Sequence, residues 1–75
     1  MELARRNDIL ADLGSRVRHH RREHGWSQEQ FAELAGVHRT YIGAIERGQQ
    51  NVTVMTLVAI ADALSVDPGE LIARR

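Results

Sequence analysis

The stretch from Ser27 to Gly48, SQEQFAELAGVHRTYIGAIERG, constrains this chain more than any other. Phe31, Leu34 and Ala35 fall at i, i+3 and i+4 and give a first short helix one apolar face. Ile42 and Ile45, with Val37 just ahead of them, give a second helix its own apolar face. Gly36 lies between the two, where the chain must reverse within about three residues and a left-handed backbone is often needed. Ala32 is small where the first helix must lie close to the second. Ser27 followed by Gln30 reads as a capping box, and Gly48 ends the second helix. The spacing predicts two short helices crossing at a steep angle, the second polar on one side. That arrangement suits insertion into the major groove of DNA.

The flanking sequence reads as more helix. Helix 1 is expected from about Asp8 to Glu23, with Leu10, Leu13, Val17 and His20 near one face and Gly25 as its stop. Residues 1–7 are polar and charged and read as frayed or as a short helical lead-in. Trp26 is expected to plug the space under the next helix. Helices 2 and 3 are expected over 28–35 and 39–47, followed by a loop, Gly48-Gln49-Gln50-Asn51. Thr53 caps a fourth helix over 54–64, whose apolar side carries Val54, Leu57, Val58, Ile60, Ala61 and Leu64. Asp67 caps a fifth, with Pro68 at the favoured first position and Glu70 completing another capping box. The expected fold is all-α, five short helices around one core. It forms a single domain over 1–75, with the helix-turn-helix at about 28–47 and helices 4 and 5, about 54–73, serving core and dimerisation.

Composition narrows the function classes. A chain of 75 residues buries only about 60% of its unfolded surface, so help from a partner chain fits. There is no cysteine, hence no disulfide, thiolate metal site or thiol nucleophile. No apolar run approaches about 20 residues, and Arg5 and Arg6 are not followed by the apolar block of a signal peptide. A cytoplasmic, nucleoid-associated protein is expected. There is no Gly-rich phosphate loop or paired-carboxylate pocket, and Ser27 near His24 is spent as a cap, so no enzyme and no cofactor are expected. His20 and His24 stand i, i+4 with His19 and Glu23 nearby, but two ligands on one helix without a third make a weak site, and no metal is expected. The bland roles are a half-buried His20 and a His24 that suits the C-terminal end of helix 1. Ten basic and ten acidic residues give a net charge of zero. All ten basic residues are arginine, and six of them precede Trp26. Arginine supplies planar, bidentate donors, while the neutral total predicts modest non-specific affinity with specificity resting on a few contacts.

Three segments carry a family resemblance: S-Q-E-Q opening the first helix, L-A-G-V at the turn and I-E-R-G closing the second. With Asn51, the apolar run after Thr53, and Val66-Asp67-Pro68 to Leu71, they resemble the lambda repressor and Cro family of prokaryotic regulators, also called the Xre family. The resemblance spans roughly Leu13 to Ile72. R-T-Y-I-x-x-I-E-R-G followed by N-x-T is similar to the small controller proteins of restriction-modification systems. It implies a lambda-repressor-like fold and transcription regulation, with bases read at Arg39 and Thr40. It also implies that Gln28 bonds both a phosphate and helix 3, that Arg47, Gln49, Gln50 and Asn51 meet the DNA backbone, and that Glu46 holds an arginine of helix 1. Arg21 is our choice for that partner.

The first turn of the second helix of such a pair reaches deepest into the groove. That places His38, Arg39, Thr40 and Tyr41 at the front. Arg39 can donate two hydrogen bonds to guanine O6 and N7, and Thr40 offers a hydroxyl and a methyl to a base edge. Gly43 and Ala44 fall on the exposed side one turn later, small enough to let the helix sit close to the bases. Gln28 stands at a helix N-terminus, where free N–H groups attract phosphate. Tyr41, next to Ile42, is either core or groove edge. His38 stands where the family often has Ser or Asp, which weakens the expected cap and leaves a phosphate contact as the alternative. Val66, Leu71 and Ile72 are expected to form a two-fold dimer interface that sets two recognition helices about one DNA turn apart on a pseudo-palindromic operator. The alternative is that helix 5 only closes the core. The expected function is a sequence-specific, dimeric transcriptional regulator, repressor or controller. Its partners are double-stranded DNA and a second copy, with no membrane and no small-molecule effector. An antitoxin or other protein-interaction module, using the helix-turn-helix as a scaffold, is the alternative, and the neutral net charge is its support.

Overall fold

The computed structural model describes residues 2–72, and the expected bounds at residues 1 and 73 lie outside them. Among the described residues five helices follow one another: α1 (Leu3–Glu23), α2 (Gln28–Ala35), α3 (Arg39–Glu46), α4 (Val54–Leu64) and α5 (Pro68–Ile72). α1 starts five residues earlier than the sequence reading placed it. Residues 3–7 contain no proline or glycine, and the Arg6 N–H donates to the Glu2 carbonyl at 3.0 Å, so the lead-in is helical. α3 ends one residue early, with Arg47 as its capping residue.

The first four helices end in the same way. Just past each last turn the backbone turns left-handed, at Gly25, Gly36, Gly48 and Ser65. The N–H groups of that residue and the next bond back three and five residues, as in Gly36 to Glu33 at 3.2 Å and Val37 to Ala32 at 3.0 Å. Ser65, with φ of 60°, is the only non-glycine in the set. Its Cβ strains that conformation, so Ser65→Gly is expected to raise stability by about 0.5–1 kcal/mol in urea denaturation. An unchanged or lower midpoint would show that the turn carries no strain.

The N-terminal caps also form. Ser27 Oγ accepts from the Gln30 N–H at 3.0 Å while Gln30 Oε1 accepts from the Ser27 N–H at 2.8 Å, closing the capping box. Thr53 Oγ1 accepts from the Thr56 N–H at 3.1 Å. Asp67 accepts from Gly69 at 2.9 Å, one residue short of the expected capping-box register with Glu70. Arg16 Nη1 donates to the Glu70 carbonyl at 3.0 Å and ties α1 to α5.

The core gathers Leu13 and Val17 of α1, Phe31 and Ala32 of α2, Ile42 and Ile45 of α3, Ile60, Ala61 and Leu64 of α4, and Leu71 of α5, with Trp26 packed against it. Several sides differ from expectation. Leu34 is 58% exposed, because the buried arc of α2 runs from Phe31 through Ala35 to Ala32 and leaves Leu34 about 60° outside it. Val54 is 75% exposed and Val58 is also outside the core, so only the C-terminal part of α4 buries its apolar face fully. α1 approaches the end of α3 with backbone alone between them: a Cβ added at Gly14 would stand 2.8 Å from the Glu46 carbonyl oxygen and closer still to that of Ile45.

Candidate nucleic-acid interface

The start of α3 presents His38, Arg39 and Thr40 to solvent, and Tyr41 half-buried against the core. A cleft of about 610 Å³ opens between the N-terminus of α2 and this face, bordered by Ser27, Gln28, Arg39, Thr40, Gly43 and Arg47. The predicted readers Arg39 and Thr40 thus share one surface with the predicted backbone contacts Gln28 and Arg47. Gly43 and Ala44 do not lie on an open side as expected: Gly43 is buried and Ala44 half-buried. A Cβ at Gly43 would sit 3.0 Å from Arg47 Nη1 and 3.5 Å from Gln28 Oε1, so the missing side chain is filled by these two. Arg47 Nε donates to Gln49 Oε1 at 3.0 Å, within the same exposed segment. Asn51 is exposed and borders a separate cleft of about 200 Å³ with Arg6, Ile9 and Leu10. Its carbonyl accepts from Gln50 Nε2 at 3.1 Å.

Beneath this exposed face of α3 stands a buried ion pair. Glu46, whose side chain is shut off from solvent, accepts from Arg21 Nε at 2.7 Å through Oε2 and from Arg21 Nη2 at 3.0 Å through Oε1. Arg21 Nη1 donates to the Trp26 carbonyl at 2.8 Å. Gln28 Nε2 donates to Glu46 Oε1 at 3.1 Å, and Arg18 Nε lies 3.5 Å from the same oxygen. The carboxylate therefore joins α1, α2 and α3 at one point. Burial alone would raise its pKa, but the bonds from Arg21 and Gln28 and the charges of Arg21 and Arg18 hold it below the usual carboxylate range. The bond to Glu46 raises the Arg21 guanidinium above its ordinary value, outweighing the lowering effect of its own burial. Arg21 was expected here; Arg18 was not, and its spacing three residues before Arg21 is the signal.

His38 caps α3, contrary to the expectation of a weakened cap. Its Nδ1 accepts from the Thr40 N–H at 3.1 Å, as an Asp or Ser oxygen would, and lies 2.7 Å from Thr40 Oγ1. The other histidines have neighbours in the fold. His19 lies 2.9 Å from Glu23, and His20 is half-buried. His24 Nε2 donates to the Leu64 carbonyl at 2.9 Å and its ring stacks on Trp26, with 4.2 Å between centroids.

The predicted dimer residues separate. Leu71 is fully buried, so it closes the core of one chain instead of meeting a second. Val66 packs partly on that core, while Ile72 is 48% exposed. The larger free apolar surface is Val54, Met55 and Val58 on α4. Met55, at 78% exposure, was missed because the run from Val54 to Ala61 is apolar almost all round and its periodicity does not show which side faces out. Among the described residues no helix is long and apolar enough to cross a membrane.

A helix-turn-helix family model matches residues 17–71. The chain is 46% identical over 68 residues to the control protein C.SmaI of Serratia marcescens, covering 91% of this chain and 81% of that one. It is 40% identical over 67 residues to the control protein C.BamHI of Bacillus amyloliquefaciens, covering 88% and 83%. Its fold is similar to the crystal structure of the restriction-modification controller protein C.AhdI from Aeromonas hydrophila. That match has a TM-score of 0.80 and 44% identity, and covers 83% of this chain and 94% of the other. The chain belongs to the helix-turn-helix family of DNA-binding transcription regulators.

Proposed function

We propose that two copies of this chain bind a pseudo-palindromic DNA site, each reading the major groove with the first turn of α3. The observation that carries this reading is the shared cleft, where Arg39 and Thr40 stand exposed beside Gln28 and Arg47 over the buried Glu46–Arg21 pair. Arg39 donates to guanine O6 and N7 and Thr40 meets a neighbouring base edge. Gln28, Arg47, Gln49 and Asn51 hold the phosphate backbone, and Tyr41 lines the groove edge with its ring on the core. Gly43 serves by leaving room for the Arg47 guanidinium, and Ala44 keeps the next turn low. The similarity to control proteins supports a controller of a restriction-modification system, acting in the cytoplasm at the nucleoid, with neither a membrane nor a small-molecule effector.

Selection of bound duplexes from a random library tests DNA reading and half-site spacing together. Arg39→Ala is expected to lose about 1–3 kcal/mol of binding and to relax preference at one base pair of each half-site. An unchanged ratio of operator to scrambled binding would remove Arg39 from the reading set.

The second copy is expected to dock on Val54, Met55 and Val58, with Val66 and Ile72 at the margin. Leaving that many apolar side chains in water is unfavourable, and a 75-residue chain cannot cover them alone. Replacing both Met55 and Val58 with Glu should convert a dimer to a monomer in sedimentation at micromolar concentration, with the helical spectrum retained. A wild-type chain that sediments as a monomer at those concentrations would remove the dimer from the reading.

A further inference from the structure

Thr40 is a side chain of either polarity: its hydroxyl donates one hydrogen and accepts at two lone pairs. His38 removes that freedom. A backbone N–H can only donate, and the Thr40 N–H points at His38 Nδ1 at 3.1 Å. Nδ1 therefore carries a lone pair and the ring proton sits on Nε2. Thr40 Oγ1 lies 2.7 Å from the same nitrogen. Two facing lone pairs at that distance would repel, so the hydroxyl hydrogen lies between them and Oγ1 donates to Nδ1.

We propose that neutral His38 fixes Thr40 as a hydrogen-bond acceptor toward DNA, and that a proton on His38 Nδ1 reverses it into a donor. The inference rests on α3 being the recognition helix. With its hydrogen engaged, Thr40 shows a base only lone pairs and a methyl. These suit the exocyclic amino groups, adenine N6 and cytosine N4, and clash electrostatically with the keto and ring acceptors of guanine and thymine. When Nδ1 gains a proton it donates to Oγ1 instead. The hydroxyl hydrogen is then free for a keto oxygen, and the Thr40 N–H loses its cap. Histidine is the side chain whose charge ordinarily changes in the mild pH range. The charged groups that border the same cleft as His38 are Glu29 and Glu33 of α2 and Arg39 of α3. His38 is thus a positioning residue that sets which base Thr40 prefers.

Nitrogen-15 spectra of the His38 ring in the free full-length protein test the first half. The Nε2–H tautomer, with a slowly exchanging Thr40 hydroxyl proton, is expected; the Nδ1–H tautomer would overturn the proposal whatever the protein does with DNA. The second half uses the selected duplex with the base pair facing Thr40 inverted, so that an amino or a keto group meets it. That pair is identified as the one at which Thr40→Val loses discrimination. About five-fold preference for the amino orientation is expected at about pH 8, shrinking or reversing at about pH 5.5. His38→Asp, an acceptor-only cap, should keep the preference at both pH values, and His38→Ala should lose it at both. A wild-type preference unmoved by pH, or one retained by a folded His38→Ala protein, would overturn the proposal. Failure of every duplex to bind, with the expected tautomer present, would overturn the recognition-helix reading and the base-preference half with it.

Discussion

Glu46→Ala is expected to lower folding stability by about 3–5 kcal/mol, because it leaves the Arg21 guanidinium buried without its counter-charge. A domain of this size has only about 5–15 kcal/mol in all, so a large share of the margin goes with one carboxylate. Two bonds from Arg21 and one from Gln28 are lost together, and with them the point where α1, α2 and α3 meet. The pH dependence has a definite sign. The folded-state pKa of Glu46 is lowered, so its stabilisation is fully present above the unfolded carboxylate value of about 4.3 and fades as pH falls through the folded value. Arg21 is pushed further above its ordinary value and stays charged throughout. The stability gap between the wild type and Glu46→Ala, followed by urea denaturation with Trp26 fluorescence, should therefore be constant near neutrality and close in acid. A gap that stays as wide down to about pH 2 would show that the charge pair is not its source.

What could be read from the sequence was local chemistry. The Ser27–Gln30 box, the left-handed Gly36 and the paired Ile42 and Ile45 lie within a few residues of the features they determine, and all formed as expected. The Glu46–Arg21 pair joins residues 25 apart in sequence, and no spacing rule connects them; the family resemblance did. Burial side was legible only where the apolar pattern was narrow. In α2 an i, i+3, i+4 set admitted Leu34, which is exposed to solvent, and in α4 an almost continuous apolar run hid that Val54 and Met55 face outward. Leu71 was expected at a dimer interface, with core closure as the alternative, and the fold puts it in the core. His38 suggests a weakened cap because residue type alone does not show the tautomer; an unprotonated Nδ1 accepts a backbone N–H much as an oxygen does. Gly14 carried no sequence signal beyond being a glycine inside a helix, because its role lies wholly in what crosses it.

Gly14→Ala isolates that role, since two effects of opposite sign act on it. Inside an exposed helix the change would stabilise by about 1 kcal/mol through helix propensity alone. Here the new methyl would meet the Ile45 and Glu46 carbonyl oxygens, the latter at 2.8 Å, and these are backbone atoms that cannot rotate aside. Overpacking of this kind costs about 1–3 kcal/mol and more where nothing gives, so the net result is expected to be a destabilised protein. Relief requires α1 to move off the C-terminal end of α3, which lengthens the Arg21–Glu46 bonds carried on the same two helices. The surviving folded fraction should therefore also bind DNA more weakly, although Gly14 lies away from the cleft beside Arg39 and Thr40. Combining Gly14→Ala with Glu46→Ala should then cost less than the sum of the two, because both act on the α1–α3 contact. A Gly14→Ala protein more stable than the wild type would show that the helices stand farther apart than this structure places them. Strictly additive losses would separate the backbone contact from the ion pair.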